Sequence, residues 1–261
     1  MDKKTIRAFF ITDNQCKTAI KYMKKEKLNY YYYLPNDGTE DRVICQYMRL
    51  DYLIRLLETH MYFVKRRREF DDTNESYENV KLAFPIAPAK KYDSQEQVLT
   101  ERTIPYFEII HCPASCWTKN ENESFLMWKS YATEIGVRIK TTVHNLIASL
   151  EIDLERNGMN KVVCGSMNYK KNLIPSSDEL GQLFNKDMAY SAENEFRFYF
   201  HISNDPDKKS TKYRLIPVNI SVMIDEILLS PFICKEAADK LARMIKCSYG
   251  INVKQSNIKL K

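Results

Sequence analysis

Two glutamates, one residue apart, head the apolar run SAENEFRFYF at residues 191–200. In an extended strand side chains alternate between faces. Glu193, Glu195, Arg197, Tyr199 and His201 then share one face, and Phe196, Phe198 and Phe200 the other. The phenylalanine face must be core. The polar face either meets water or lines a cleft. On a wet edge its charges pair along the surface and contribute little. In a pocket, two such carboxylates push one another's pKa apart. One can then act as a base or stabilise a developing cation while the other positions a substrate hydroxyl. A glutamate beside a strand also suits an oxocarbenium-like sugar centre, as in glycosyl transfer.

Three further stretches carry chemistry-bearing side chains. In SFLMWKSYATEIGVRI, Met127, Trp128 and Tyr131 fall at near-helical spacing, so they form either a core stripe or the stacking wall of a base-binding or nicotinamide-binding pocket. In CQYMRLDY, Tyr47 and Arg49 alternate with Met48; Arg49 either faces solvent or clamps a phosphate through paired hydrogen bonds. In KRRREF, Lys65, Arg66, Arg67 and Arg68 are followed at once by Glu69, Asp71 and Asp72, which reads as self-neutralising surface rather than a nucleic-acid track. His111, Cys112 and Cys116 in HCPASC lack the second ligand pair of a structural zinc site, so they read as thiols near a strand end, and no metal is expected.

The elements that must position these residues mix strands and helices throughout. The first forty residues read as strand IRAFFIT, a helix capped by Asp13, and strand NYYYYL. RVICQYM, LDYLIRLLETH and MYFVK repeat the order strand, helix, strand. Residues 65–104 are charge-dense and then proline-broken, a long irregular connection. From Ile104 the pattern predicts strand YFEIIHC, helix ESFLMWKSYATE, strand VRIKTTV, helix HNLIASLEIDLE and strand KVVCGSMNY. A helix capped by SSDE and running through LGQLFNKDMAY follows. Strands ENEFRFYFHIS, YRLIPVNI and EILLSP, helix CKEAADKLARMIK ending at Gly250, and INVKQSNI close the chain. The expectation is one α+β domain over 1–261 with a mixed, partly antiparallel, split sheet and flanking helices, residues 1–41 being an N-terminal addition.

Composition narrows the function classes. Six glycines, at 38, 136, 158, 165, 181 and 250, allow neither G-x-G-x-x-G nor a phosphate-cradling G-x-x-x-x-G-K. G-x-S-x-G and H-E-x-x-H are also missing. A net charge of +6 permits a nucleotide, nucleic-acid or acidic partner without demanding one. No apolar run approaches the roughly 20 residues of a membrane helix. Seven scattered cysteines and no signal-peptide pattern suggest a cytoplasmic protein with no membrane partner.

In order, QYMR (46–49), EFDD (69–72), CWT (116–118), MWKSY (127–131), GVRI (136–139) and ENEFR (193–197) resemble a mostly bacterial family known as domain of unknown function 2971, across roughly residues 42–235. More distantly the chain is similar to ADP-ribosyltransferases of the arginine–serine–glutamate class. No Ser-Thr-Ser strand is present; CWT and GSM stand nearest to it. That likeness implies NAD as substrate, bound without a Rossmann loop. It implies Glu195 as the catalytic glutamate on the nicotinamide ribose and Glu193 as the residue that orients the acceptor. Arg49 would bind the NAD phosphates, and Trp128 or Tyr131 would stack nearby, with Tyr47 and Arg197 completing the substrate contacts. The implied role is a toxin or antiviral-defence effector that transfers ADP-ribose to a protein, nucleic acid or water, with a partner protein of a defence system as a further expectation. Two other readings stay open. One is a metal-dependent nuclease using Glu195, Arg197 and Asp71 or Asp72. The other is a non-enzymatic subunit that binds a nucleotide or partner chain.

Overall fold

A computed structural model describes residues 8–10, 32–34, 41–70, 112–133, 135–150, 159–171, 184–202 and 210–259. The strands are β1 (Ala8–Phe10), β2 (Tyr32–Leu34), β3 (Val43–Arg49), β4 (Met61–Arg66), β5 (Pro113–Thr118), β6 (Gly136–Thr142) and β7 (Met159–Ser166). They continue with β8 (Asn168–Lys170), β9 (Asn185–Asp187), β10 (Glu195–Ile202), β11 (Tyr213–Pro217), β12 (Glu226–Leu229) and β13 (Asn252–Gln255). The α-helices are α1 (Leu50–Thr59), α2 (Phe125–Met127), α3 (Val143–Ser149), α4 (Ile220–Met223) and α5 (Lys235–Tyr249). Among the described residues eleven strands form one sheet in the order β1-β2-β7-β10-β5-β3-β6-β12-β13, and β4 joins β5 to β11 off that path. The central pairings are antiparallel, while β1–β2, β2–β7 and β12–β13 run parallel. The protein is thus a mixed α+β fold with a mostly antiparallel sheet and flanking helices, as the sequence pattern predicts.

The sheet forks at β5. Its first residues pair with β4 (Ala114 with Lys65, Pro113 with Arg66), whereas its last, Thr118, pairs with Cys45 of β3. Between these points the edge of β5 loses its strand partner, and backbone polar groups that lose a partner must find another. Gln46 supplies one: its Nε2 donates to the Cys116 carbonyl at 3.0 Å. Tyr62 donates to Gln46 Oε1 at 2.9 Å, the Tyr62 and Ser115 hydroxyls also bond, and Trp117 Nε1 donates to Ser115 Oγ at 2.7 Å. A buried polar network with every member satisfied is rigid, so the fork has a fixed opening.

One face of the sheet carries the main core. Phe196, Phe198 and Phe200 of β10 and Trp117 of β5 pack with Leu53, Leu56 and Leu57 of α1 and with apolar residues of α3, α4 and α5. Each such side chain contributes about 1.5–3 kcal/mol by leaving water. The amphipathic α5 ends where Gly250 takes a φ of 71°, its N–H closing on Lys246 O at 2.9 Å. The opposite face is covered locally by α2 and a π-helical turn, Trp128–Ala132, built on a small cluster of Tyr47, Trp128, Ala132 and Leu228. Gly136 makes that seat: a Cβ there would lie 2.2 Å from the Ala132 carbonyl oxygen.

Several sequence expectations change. NKDMAY is not helix: Asn185–Asp187 is a strand, and Asp187 Oδ1 accepts from Ala189 N at 2.8 Å to start a 3-10 turn over Met188–Glu193. KVVCGSMNY is two strands in two sheets, because among the described residues β8 pairs with β9 in a separate two-stranded parallel sheet. PASC, with its opening proline and small residues, belongs to β5 at the centre of the sheet. The basic run 65–68 is not a surface: Arg66 and Arg67 are buried, Arg66 donating to Thr211 O and Oγ1 at 2.8 and 2.9 Å. The expected helix near 13–28, all but Cys112 of the strand expected at 106–112, most of the connection 65–104 and the helix start at 176 lie outside the described residues.

Candidate active site

A cleft of about 520 Å³ opens at the fork, on the face of the sheet opposite the main core. Its floor is the polar side of β10 and β5, since Glu195 pairs with Thr118 and Arg197 with Cys116. β3 and β4 supply Tyr47, Phe63 and Lys65, and Phe70, Tyr131 and Tyr190 add further rings. That volume is within the range of about 300–1,000 Å³ common for small-molecule sites.

Glu195 and Arg197 lie two residues apart on one strand, so both side chains rise from the same face. They form a paired contact: Arg197 Nε reaches Glu195 Oε1 at 2.5 Å and Nη2 reaches Oε2 at 2.9 Å. Nη1 donates to the Tyr199 hydroxyl at 3.1 Å, and the guanidinium lies 5.0 Å from the Phe70 ring centroid. Both side chains are at most 3% exposed. Burial alone would raise the Glu195 pKa. The Arg197 charge and its hydrogen bonds, with Lys186, outweigh that and hold the carboxyl down at about 2. Glu195 is therefore a fixed negative charge and a weak base.

Glu193 reaches the same point by another route. It sits at the end of the 3-10 turn, not on β10, because Asn194 between the two glutamates takes a left-handed φ of 44°. The alternation expected across residues 193–201 thus begins only at Glu195. Asn194 is tied down by its Nδ2, which donates to Asn120 Oδ1 at 2.8 Å, and by its carbonyl, which accepts from Lys119 N at 3.0 Å. Lys186 of β9 draws the acids together: its ammonium is 2.6 Å from Glu193 Oε2 and 2.9 Å from Glu195 Oε2. From the other wall Tyr131 donates to Glu193 Oε1 at 2.5 Å. Burial first, and then the adjacent Glu193 carboxylate, push the Tyr131 phenol well above its ordinary value.

The predicted residues therefore separate. Glu193, Glu195, Arg197 and Tyr131 meet in one cleft, and Tyr47 forms part of its wall. The Tyr47 hydroxyl accepts from Ser124 N at 3.0 Å, which anchors the start of α2. Trp128 is fully buried; its ring meets Tyr47 edge-on at 4.9 Å and its Nε1 donates to Glu123 Oε2 at 3.0 Å. The wider π turn splits Trp128 from Tyr131, so the helical stripe expected of MWKSY divides into a core residue and a cleft residue. Arg49 stands outside the cleft: it ends β3 and pairs with Asp51 in the first turn of α1, both oxygens at 2.9 Å. The cations at the carboxylates are Lys186 and Arg197. Lys186 was hidden inside a stretch that reads as helix; Asp187, a capping residue type ahead of MAY, is the signal that a turn begins there.

No protein-family model matches the chain, and no curated protein matches it in sequence. The resemblance to domain of unknown function 2971 stands on its ordered motifs alone. Among solved structures, Thermus sp. 2.9 DarT in complex with ADP-ribosylated ssDNA matches with a TM-score of 0.36 at 9% identity, over 83% of this chain and 95% of that one. A likeness of that degree decides neither fold nor activity. Cys112 is buried and Cys116 half-buried, and among the described residues no group of three His, Cys, Asp or Glu side chains is placed to hold a metal ion. Asp71 and Asp72, which a nuclease reading needs, lie outside the described residues. No helix among the described residues is long and apolar enough to cross a membrane.

Proposed function

We propose that this protein is an ADP-ribosyltransferase-like enzyme that takes NAD in the cleft at the fork and passes ADP-ribose to a protein, a nucleic acid or water. The observation that carries the reading is the convergence of Glu193, Glu195 and Tyr131 on one point of a ring-walled cleft. The E-x-E pair in ENEFR, which resembles that of ADP-ribosyltransferases, supplies two of these residues. In the reaction the bond between ribose C1′ and the nicotinamide nitrogen breaks, and its electron pair leaves with neutral nicotinamide. Positive charge develops over C1′ and the ring oxygen. Glu195, held ionised by Arg197, faces that charge as a preorganised anion. An acceptor lone pair then closes on C1′ while the acceptor's proton passes to Glu193, the more open carboxylate. Tyr131 holds Glu193 in place, and Lys65 at the wall of the cleft meets the diphosphate. A toxin or antiviral-defence role in the bacterial cytoplasm, with a partner protein, fits such an activity.

Nicotinamide release from NAD by the purified chain tests the reading. Glu195→Gln should lower it by about 10²-fold or more at a temperature where the variant, destabilised by the stranded Arg197 charge, is still folded by circular dichroism. Unchanged release in that variant, or no heat of NAD binding to the wild type, would end it. A second reading has its own observation: both acids of the cleft are already ion-paired, to Lys186 and Arg197, as in a binding subunit. NAD binding without nicotinamide release, whatever the acceptor offered, would select it.

A further inference from the structure

The Lys186 ammonium occupies a site with the makings of a ligand cage. It lies between two carboxylates at 2.6 and 2.9 Å and 4.8 Å from the Tyr190 ring centroid, with its side chain 9% exposed. Two carboxylates and an aromatic face are the chemistry that binds organic cations. Each carboxylate of the cage has an anchor besides Lys186. Glu195 is fixed from below by the paired Arg197 contact, and Glu193 is fixed from the side by Tyr131 and, through its neighbour Asn194, by Asn120. Lys186 itself comes from outside the main sheet, on a strand of three residues whose partner among the described residues is β8. The charges are informative too. Within the cluster of four touching groups, Glu193 and Glu195 are balanced by Arg197 and Lys186, so withdrawal of Lys186 leaves that cluster one net negative charge, with Lys65 beyond it on the cleft wall.

We propose that Lys186 is a tethered plug in a subsite for a planar organic monocation, and that ligand binding displaces its ammonium from between Glu193 and Glu195. The inference rests on the cleft being the substrate site of the proposed transfer. Two sources share the ligand chemistry: the pyridinium of a nicotinamide nucleoside, and the guanidinium of an acceptor side chain. Displacement also explains how a carboxylate pair can be neutral without ligand and still meet a cationic sugar centre, since the plug and the substrate charge alternate in one place.

A tethered competitor weakens ligand binding by the fraction of time the cage is open, so removing it should tighten binding. The probes are 1-methylnicotinamide and methylguanidine, with neutral nicotinamide as control, measured by calorimetry on the full chain. Lys186→Met should bind at least one of the two cations about tenfold or more tighter than wild type, with nicotinamide unchanged; which cation gains identifies the source. Adding Glu193→Gln should remove the gain. Equal affinity in wild type and Lys186→Met, or an equal gain for neutral nicotinamide, overturns the proposal. If Lys186→Met does not fold, the wild type still decides. The Lys186 side-chain NMR resonance must move on saturation with a cationic probe and stay in place with nicotinamide; an unmoved resonance overturns displacement. None of these probes is cleaved, so failure of NAD turnover refutes the transferase reading and leaves the cage to be judged by binding alone.

Discussion

Phe196, Phe198 and Phe200 leave one face of β10, and Glu195, Arg197 and Tyr199 leave the other, yet all six are at most 2% exposed. On the first face burial is itself the stabilising event, because apolar area leaves water. On the second, burial costs desolvation of two ions, which is offset only by close pairing. Equal dryness therefore hides unequal tolerance. A phenylalanine can be trimmed at the cost of a cavity. An ion cannot be trimmed without stranding its partner.

The largest effects come from breaking each face once. Arg197→Met leaves the Glu195 carboxylate with Lys186 and the Cys116 thiol and should cost about 3–5 kcal/mol. Phe198→Ala should cost a similar amount, about 3–5 kcal/mol, through its cavity. Second-site rescue separates the two. Glu195→Gln added to Arg197→Met should restore much of the loss in urea unfolding, because no stranded charge remains. A double variant no more stable than Arg197→Met would show that Arg197 stabilises by packing on Phe70, and the contrast between the faces would fail.

Acid is the next probe, and only the polar face should answer it. Glu195 is held at about 2 against an ordinary value near 4.5, so the unfolded chain binds the proton more readily. Its contribution is present above pH 4.5 and is lost as pH falls from there toward 2. A shift of that size corresponds to stability on the order of 3 kcal/mol. Unfolding midpoints between pH 5 and pH 2.5 should fall more steeply for the wild type than for Glu195→Gln. Parallel slopes would mean that the carboxylate is not held down by its partners.

The unequal faces also explain what could be read from the sequence. Alternation is local, so the phenylalanine face, the strand and the shared face of Glu195 and Arg197 follow from EFRFYF alone. Convergence is not local. Lys186 joins Glu193 and Glu195 only because β9 and a 3-10 turn fold back over β10, and the apolar pattern around NKDMAY carries no trace of that. Glu193 leaves the strand because Asn194 turns left-handed, which Asn tolerates but does not announce. β5 went unread because its face-to-face burial needs small residues, PASC, with no alternating pattern to mark them. Arg66 is buried through the Thr211 backbone, a contact 145 residues away that composition cannot foresee.

A smaller effect tests the wall opposite Lys186. Tyr131 is 46% exposed overall, but its hydroxyl ends on Glu193. Tyr131→Phe should lower stability by about 1 kcal/mol or less, as one partly solvated hydrogen bond is lost. It should also free Glu193, so that nicotinamide release falls while NAD affinity, read by calorimetry, changes little. A large loss of NAD affinity instead would assign Tyr131 to stacking rather than to the carboxylate.

The smallest effect is expected where the sequence placed the phosphate clamp. Arg49 and Arg197 are both strand arginines paired with a carboxylate two residues away, but the Arg49–Asp51 pair is more than half exposed while Arg197 is sealed. Water screens the first pair and the second has none to screen it. Arg49→Ala should therefore leave the unfolding midpoint and NAD affinity where they are, and Lys65→Ala, at the cleft wall, should weaken NAD binding. If Arg49→Ala proved the more damaging of the two, the diphosphate would have to run along the end of β3 rather than past β4, and the cleft would open toward α1 instead of along the fork.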